Sequence, residues 1–135
     1  MCVMRTENTG GTKFDEFEAA VVSVELQEGI EGRKQYHFVL DPIGFKVGGA
    51  TGKLHEWIPM SAKATQEAVP QGSVMDRYLQ QVEICLGKPA RDATTILAAL
   101  NLMVGKKFRF MKMKLGKDYE GKKAKDYVTP VALLQ

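Results

Sequence analysis

Cysteine, histidine and tryptophan are all scarce in this chain: two, two and one in 135 residues. Cys2 and Cys85 make no disulfide framework, and Cys85 falls inside an apolar helical pattern where a buried thiol is ordinary. No C-x-x-C or H-x-x-x-H spacing joins Cys2, Cys85, His37 and His55, so no metal site is expected. Long hydrophobic runs are missing too. The longest, Ile96 to Leu100, has five residues against the ~20 of a membrane helix. The opening residues carry neither the charged nor the apolar region of a signal peptide. The expectation is a reducing, cytoplasmic setting, without membrane spanning or secretion.

Catalytic motifs are also lacking. There is no Gly-x-Ser-x-Gly elbow, and the cluster Val47-Gly48-Gly49-Ala50-Thr51-Gly52-Lys53 lacks the Lys-Ser/Thr pair that opens a helix in a phosphate loop. Carboxylates are plentiful near the N-terminus, yet none pairs with another beside a nucleophile. Neither catalysis nor a cofactor is expected.

What is present is an ordinary globular composition, 44% apolar and 26% charged, at a length that suits one domain. The first dozen residues are polar and read as an arm, leaving a single domain over 13–135. Charge is unevenly spread. Residues 1–41 hold four bases and eight acids, whereas 106–125 hold nine bases and two acids. Such a block is either a solvated face or a polyanion site.

The chain turns strand-like from Phe14, through Val21, Val22, Val24 and Leu26. A turn over 27–32 leads into Gln35 to Leu40, where Tyr36, Phe38 and Leu40 share one face and His37 lies on the other. Asp41-Pro42 is expected to stop this second strand. Glycines at 44, 48, 49 and 52 mark a bend before a third strand, Leu54 to Ile58. The period then becomes helical. Ser73 caps a helix carrying Met75, Leu79, Val82 and Leu86, Gly87 ends it, and Asp92 is expected to cap a second helix through Leu100. Strands return at Lys107 to Leu115 and at Tyr127 to Leu134, with Pro130 at an edge or bulge.

This order predicts a mainly β fold: a five-stranded OB-fold-like barrel with a helical insertion between strands 3 and 4. Tyr36, Phe38, Phe108 and Phe110 are assigned to its core. In that layout the turn between the last two strands flanks a groove on the strand 2–3 face. A groove for single strands needs cations for phosphates and aromatic faces for bases. Arg109, Lys112 and Lys114, interleaved with bulky side chains, and Lys117, Lys122 and Lys123 supply the cations. Tyr119 supplies an aromatic face in the turn, with Trp57 and His37 across the groove. Tyr119 stands evenly between stacking and packing on its own loop. For Trp57 a place beneath the helical segment is the stronger reading, and the histidines otherwise serve as polar contacts.

The C-terminal third carries a resemblance. Leu86-Gly87, then Leu102-Met103-Val104-Gly105-Lys106-Lys107-Phe108-Arg109-Phe110 and Tyr119-Glu120-Gly121-Lys122, resemble small OB-fold single-stranded-DNA-binding proteins of phages and archaea. The likeness covers roughly residues 79–131, with a weaker echo in 32–40. It implies binding of single-stranded DNA without sequence preference and without catalysis. The competing expectation is an OB-like interaction or assembly subunit whose basic strip meets an acidic protein partner.

Overall fold

The computed structural model describes residues 15–29, 34–48, 52–60, 65–90, 93, 95–116, 121 and 124–134. The expected arm, the Asp92 cap and four candidate site residues (Lys117, Tyr119, Lys122, Lys123) lie outside these. The strands are β1 (Glu16–Glu28), β2 (Lys34–Ile43), β3 (Leu54–Pro59), β4 (Lys107–Lys114) and β5 (Asp126–Leu133). Helices α1 (Val74–Leu86) and α2 (Ile96–Asn101) fall between β3 and β4. The strands form one antiparallel sheet in the order β3-β2-β1-β4-β5.

The expected mainly β order of five strands with helices between the third and fourth is present; among the described residues no ladder joins β3 to β5, so the sheet is not closed. The two edges nevertheless approach within 8 Å between Cα atoms, and α1 packs on both. The sheet therefore curls around a core that the helix covers.

β1 is central, pairing with β2 over Glu18–Glu28 and with β4 only over Glu16–Ala20. Its register slips between Val21 and Ser23. Side chains alternate with period two along a strand, so one extra residue exchanges the faces of everything beyond it. Phe17, Ala19 and Val21 are buried before the slip, Val24 after it, while Val22 at the bulge is 45% exposed. Val21 turns its backbone toward the segment leading into β4: its N–H donates to the Lys106 carbonyl and its carbonyl accepts from Gly105 N–H, both at 2.9 Å. Without this bulge, Glu25 and Gln27 would point into the core.

β2 continues past Asp41-Pro42 to Ile43, contrary to the sequence expectation, and Pro42 pairs with Ala19. The reason is local. Pairing with β3 ends at Leu40, so beyond it β2 is an edge on that side, where a residue lacking N–H is tolerated. Pro130 sits on edge strand β5 beside a register shift, the other setting that accepts proline.

The core is built from Tyr36, Phe38 and Leu40 of β2, Phe108 and Phe110 of β4, and Met75, Tyr78, Leu79 and Val82 of α1, each at most 2% exposed. Burying one such side chain contributes about 1.5–3 kcal/mol. α1 begins where Ser73 Oγ accepts from Asp76 N–H at 3.2 Å, and Gly87 ends it at φ 69°, in the left-handed region that favours glycine. The cap of α2 is Thr95, whose Oγ1 accepts from Ala98 N–H at 3.0 Å.

Candidate nucleic-acid interface

The bulge in β1 decides what meets on the outer face of β1-β2-β3. Register places Glu25 and Trp57 on either side of His37, with His55 opposite Val39 one step along the same face. His37, His55 and Trp57 are all half-buried and outside the core cluster. Trp57 is thus a surface residue of the sheet rather than one beneath the helices. Its ring lies 4.9 Å from that of His37 at 12°, and His37 lies 5.1 Å from His55 at 14°. His55 and Trp57 are 6.3 Å apart at 25°. Three nearly parallel rings therefore lie together on an outward face as one aromatic plate, with Trp57 stacked on His37.

Polar contacts hold the rings in place. Trp57 Nε1–H donates to Gln27 Oε1 at 3.3 Å, and Gln27 Nε2 meets His37 Nδ1 at 3.1 Å. His37 Nε2 and His55 Nδ1 are 2.9 Å apart. Imidazole lone pairs and N–H bonds lie in the ring plane, so a hydrogen bond between rings 14° apart sets them edge to edge, extending one plate. Burial pushes the His37 pKa below its usual value, and the neighbouring His55 adds to this while Glu25 partly offsets it. His37 is accordingly biased toward its neutral form.

The cations sit elsewhere. Arg109 lies opposite Glu18 on the outer face and donates from its Nη2 to Glu18 Oε2 at 3.2 Å, with Glu16 Oε2 3.8 Å from its Nε. Its charge is shared with two carboxylates. The alternation of burial along β4 stops after Met111, Met113 packing against the core while Lys112 is half-buried and Lys114 exposed. Both lysines lie at the start of β1, where Lys112 N–H donates to the Asp15 carbonyl at 2.9 Å. His37 and Trp57 belong to the other end of β1, near Glu25 and Gln27. The interleaving seen in sequence is therefore not one continuous row of cations facing the rings.

Sequence reasoning placed Trp57 and His37 near one another but missed Gln27 and the contact between His37 and His55. The i, i+2 spacing of His55 and Trp57 signals a shared strand face; nothing local signals their register with His37. Gln27 was hidden because its parity depends on the bulge, and 27–32 reads as a turn. Among the described residues no group of three or more His, Cys, Asp or Glu side chains is arranged to hold a metal. No described helix is long and apolar enough to cross a membrane. No protein-family model matches the chain, and no curated protein matches it in sequence.

Proposed function

We propose that this chain is an OB-type module that binds single-stranded nucleic acid, DNA by the resemblance, without catalysis. The observation that carries the reading is the plate of Trp57, His37 and His55 on the outer face of β2 and β3. Bases stack on aromatic faces whatever their sequence, each worth about 1–3 kcal/mol. The fold supports the same reading: β3-β2-β1-β4-β5 with helices between β3 and β4 is the order that pairing of β3 with β5 would complete into an OB barrel.

Phosphates are then met away from the plate. Nine residues of β1 separate Glu16 from Glu25, about 30 Å at ~3.3 Å per residue. A bound strand stacks at the plate and runs toward Lys112, Lys114 and the lysine-rich turn holding Lys117, Tyr119, Lys122 and Lys123. That span suits the low end of the roughly 4–16 nucleotides an OB fold covers. One observation favours the rival interaction module: Lys112 and Lys114 lie at the opposite end of β1 from the plate, so an acidic protein could engage them alone.

The test is a titration with oligo-dT at two salt concentrations, followed by the fluorescence of Trp57, the chain's single tryptophan. Binding with quenching is expected, and log K falls against log salt with a slope of about −2 to −3.5 if three to five phosphates are neutralised. No binding at low salt selects the interaction module.

A further inference from the structure

We propose that Gln27 is the positioning residue of the plate: its amide sets the tautomer of both imidazoles and so couples the stacking surface to protonation. This rests on reading the plate as the stacking surface. The hydrogen-bond series starts at Trp57, whose indole N–H can only donate. Its partner is therefore the amide oxygen of Gln27, which leaves the amide nitrogen facing His37 Nδ1. An amide NH2 can only donate, so His37 Nδ1 is bare and accepts. Neutral His37 then carries its proton on Nε2 and donates it to His55 Nδ1. His55, accepting there, keeps its own proton on Nε2. One side chain fixes two tautomers in sequence.

A further proton finds no lone pair unused within this series. On His55 Nδ1 it sets two donors against each other and breaks the bond between the rings. On His37 Nδ1 it turns the amide, so that NH2 confronts the indole N–H. The series is complete only with both rings neutral. The charged groups around it do not reverse this. Glu25 on β1 is the cross-strand partner of His37 and favours a cation there, but burial and His55 outweigh it. Beside His55, Asp41 and Lys53 form an ion pair at 3.4 Å. Glu28 and Lys34, paired at the other end, have the opposite strand parity from Gln27 and Gln35.

The experiment is long-range 1H–15N spectroscopy of the imidazoles in the full chain, from neutral to acid pH. It uses the parent, Gln27→Glu and Gln27→Leu, with thermal melts to confirm folding. In the parent both rings are expected as the Nε2–H tautomer, and the Trp57 indole resonance moves as His37 takes up a proton. The carboxylate of Gln27→Glu can only accept, so His37 gains an Nδ1 proton and titrates above the parent. Gln27→Leu leaves His37 as a mixture of tautomers. A parent His37 that is an Nδ1–H tautomer or a mixture overturns the proposal. So does a Gln27→Glu variant whose His37 titrates as in the parent. Oligo-dT quenching of Trp57 is scored separately. Its absence with the tautomers as expected removes the nucleic-acid reading and leaves the role of Gln27. Mixed tautomers with quenching intact remove the role of Gln27 alone.

Discussion

The two halves of β1 belong to different surfaces. Beyond the bulge, its outer face carries Glu25 and Gln27 and supports three rings joined by neutral hydrogen bonds. Before the bulge, the outer face carries Glu16 and Glu18, which hold Arg109 of β4 in exposed ion pairs. One half is an aromatic plate whose His37 disfavours charge; the other is a charged lattice screened by water and salt. A single extra residue, Val22, separates them by exchanging the faces of the strand. The lesson is that the plate is made by register rather than by a local motif.

The largest effect is expected from a charge placed on the inward side of that exchange. Val24→Glu puts a carboxylate where the side chain is 4% exposed, whereas Val22→Glu adds the same charge at a position 45% exposed. Leaving a carboxylate unpaired in the interior costs about 3 kcal/mol or more. Val24→Glu is expected to unfold the protein at room temperature by circular dichroism and Val22→Glu to melt near the parent; a Val24→Glu melting temperature within a few degrees of the parent contradicts the two-surface account.

Next in size are the binding losses that separate plate from block. Trp57→Ala is expected to weaken oligo-dT binding by about 1–3 kcal/mol with the salt slope unchanged, since a stacked base releases no ions. Tyr119→Ala behaves the same way if the turn also stacks a base. Replacing Lys122 and Lys123 together with Ala flattens the slope by about 1.4, at ~0.7 per phosphate. Anisotropy titrations over a salt series distinguish these outcomes. Equal slopes in all variants would place the cations outside the binding path.

A smaller effect follows from the lowered pKa of His37. The unfolded chain takes up a proton on this ring near the ordinary value of 6.5, while the folded chain waits until lower pH. Between the two values the unfolded state binds more protons, so stability rises with pH across that window. The contribution is complete above 6.5 and is lost as pH falls through the folded value. Denaturant midpoints measured downward from pH 7 are expected to fall in the parent and to fall less in His37→Gln. Parallel curves for the two proteins count against a buried neutral ring.

The smallest effect is assigned to Arg109. It shares exposed ion pairs with Glu16 and Glu18, and such pairs are worth about 0–1 kcal/mol. Arg109→Ala is expected to melt within a few degrees of the parent and to bind oligo-dT nearly as well. A loss as large as that of Trp57→Ala would make Arg109 part of the interface.

The order of strands and helices was legible because alternation and caps are local. Tyr36, Phe38 and Leu40 announce their strand, and Ser73 and Gly87 bracket the first long helix. The end of β2 was misread because tolerance of Pro42 depends on where β3 stops pairing, which no neighbour in sequence encodes. The site was half legible. His55 and Trp57 share a face by spacing alone, but His37 joins them through register, and Gln27 reaches them only because β1 carries a bulge. Likewise Lys112 and Lys114 look continuous with Arg109 in sequence, yet Arg109 is held in ion pairs by Glu16 and Glu18.

Chemical-shift mapping of the 15N-labelled protein with oligo-dT tests the central claim most directly. The account predicts that the Trp57 indole N–H and the amides of residues 35–39 and 55–57 move most. A second, salt-sensitive set is expected toward residues 112–114 and the following turn. Shifts confined to that basic end, leaving Trp57, His37 and His55 unmoved at saturation, would contradict the plate as the stacking surface.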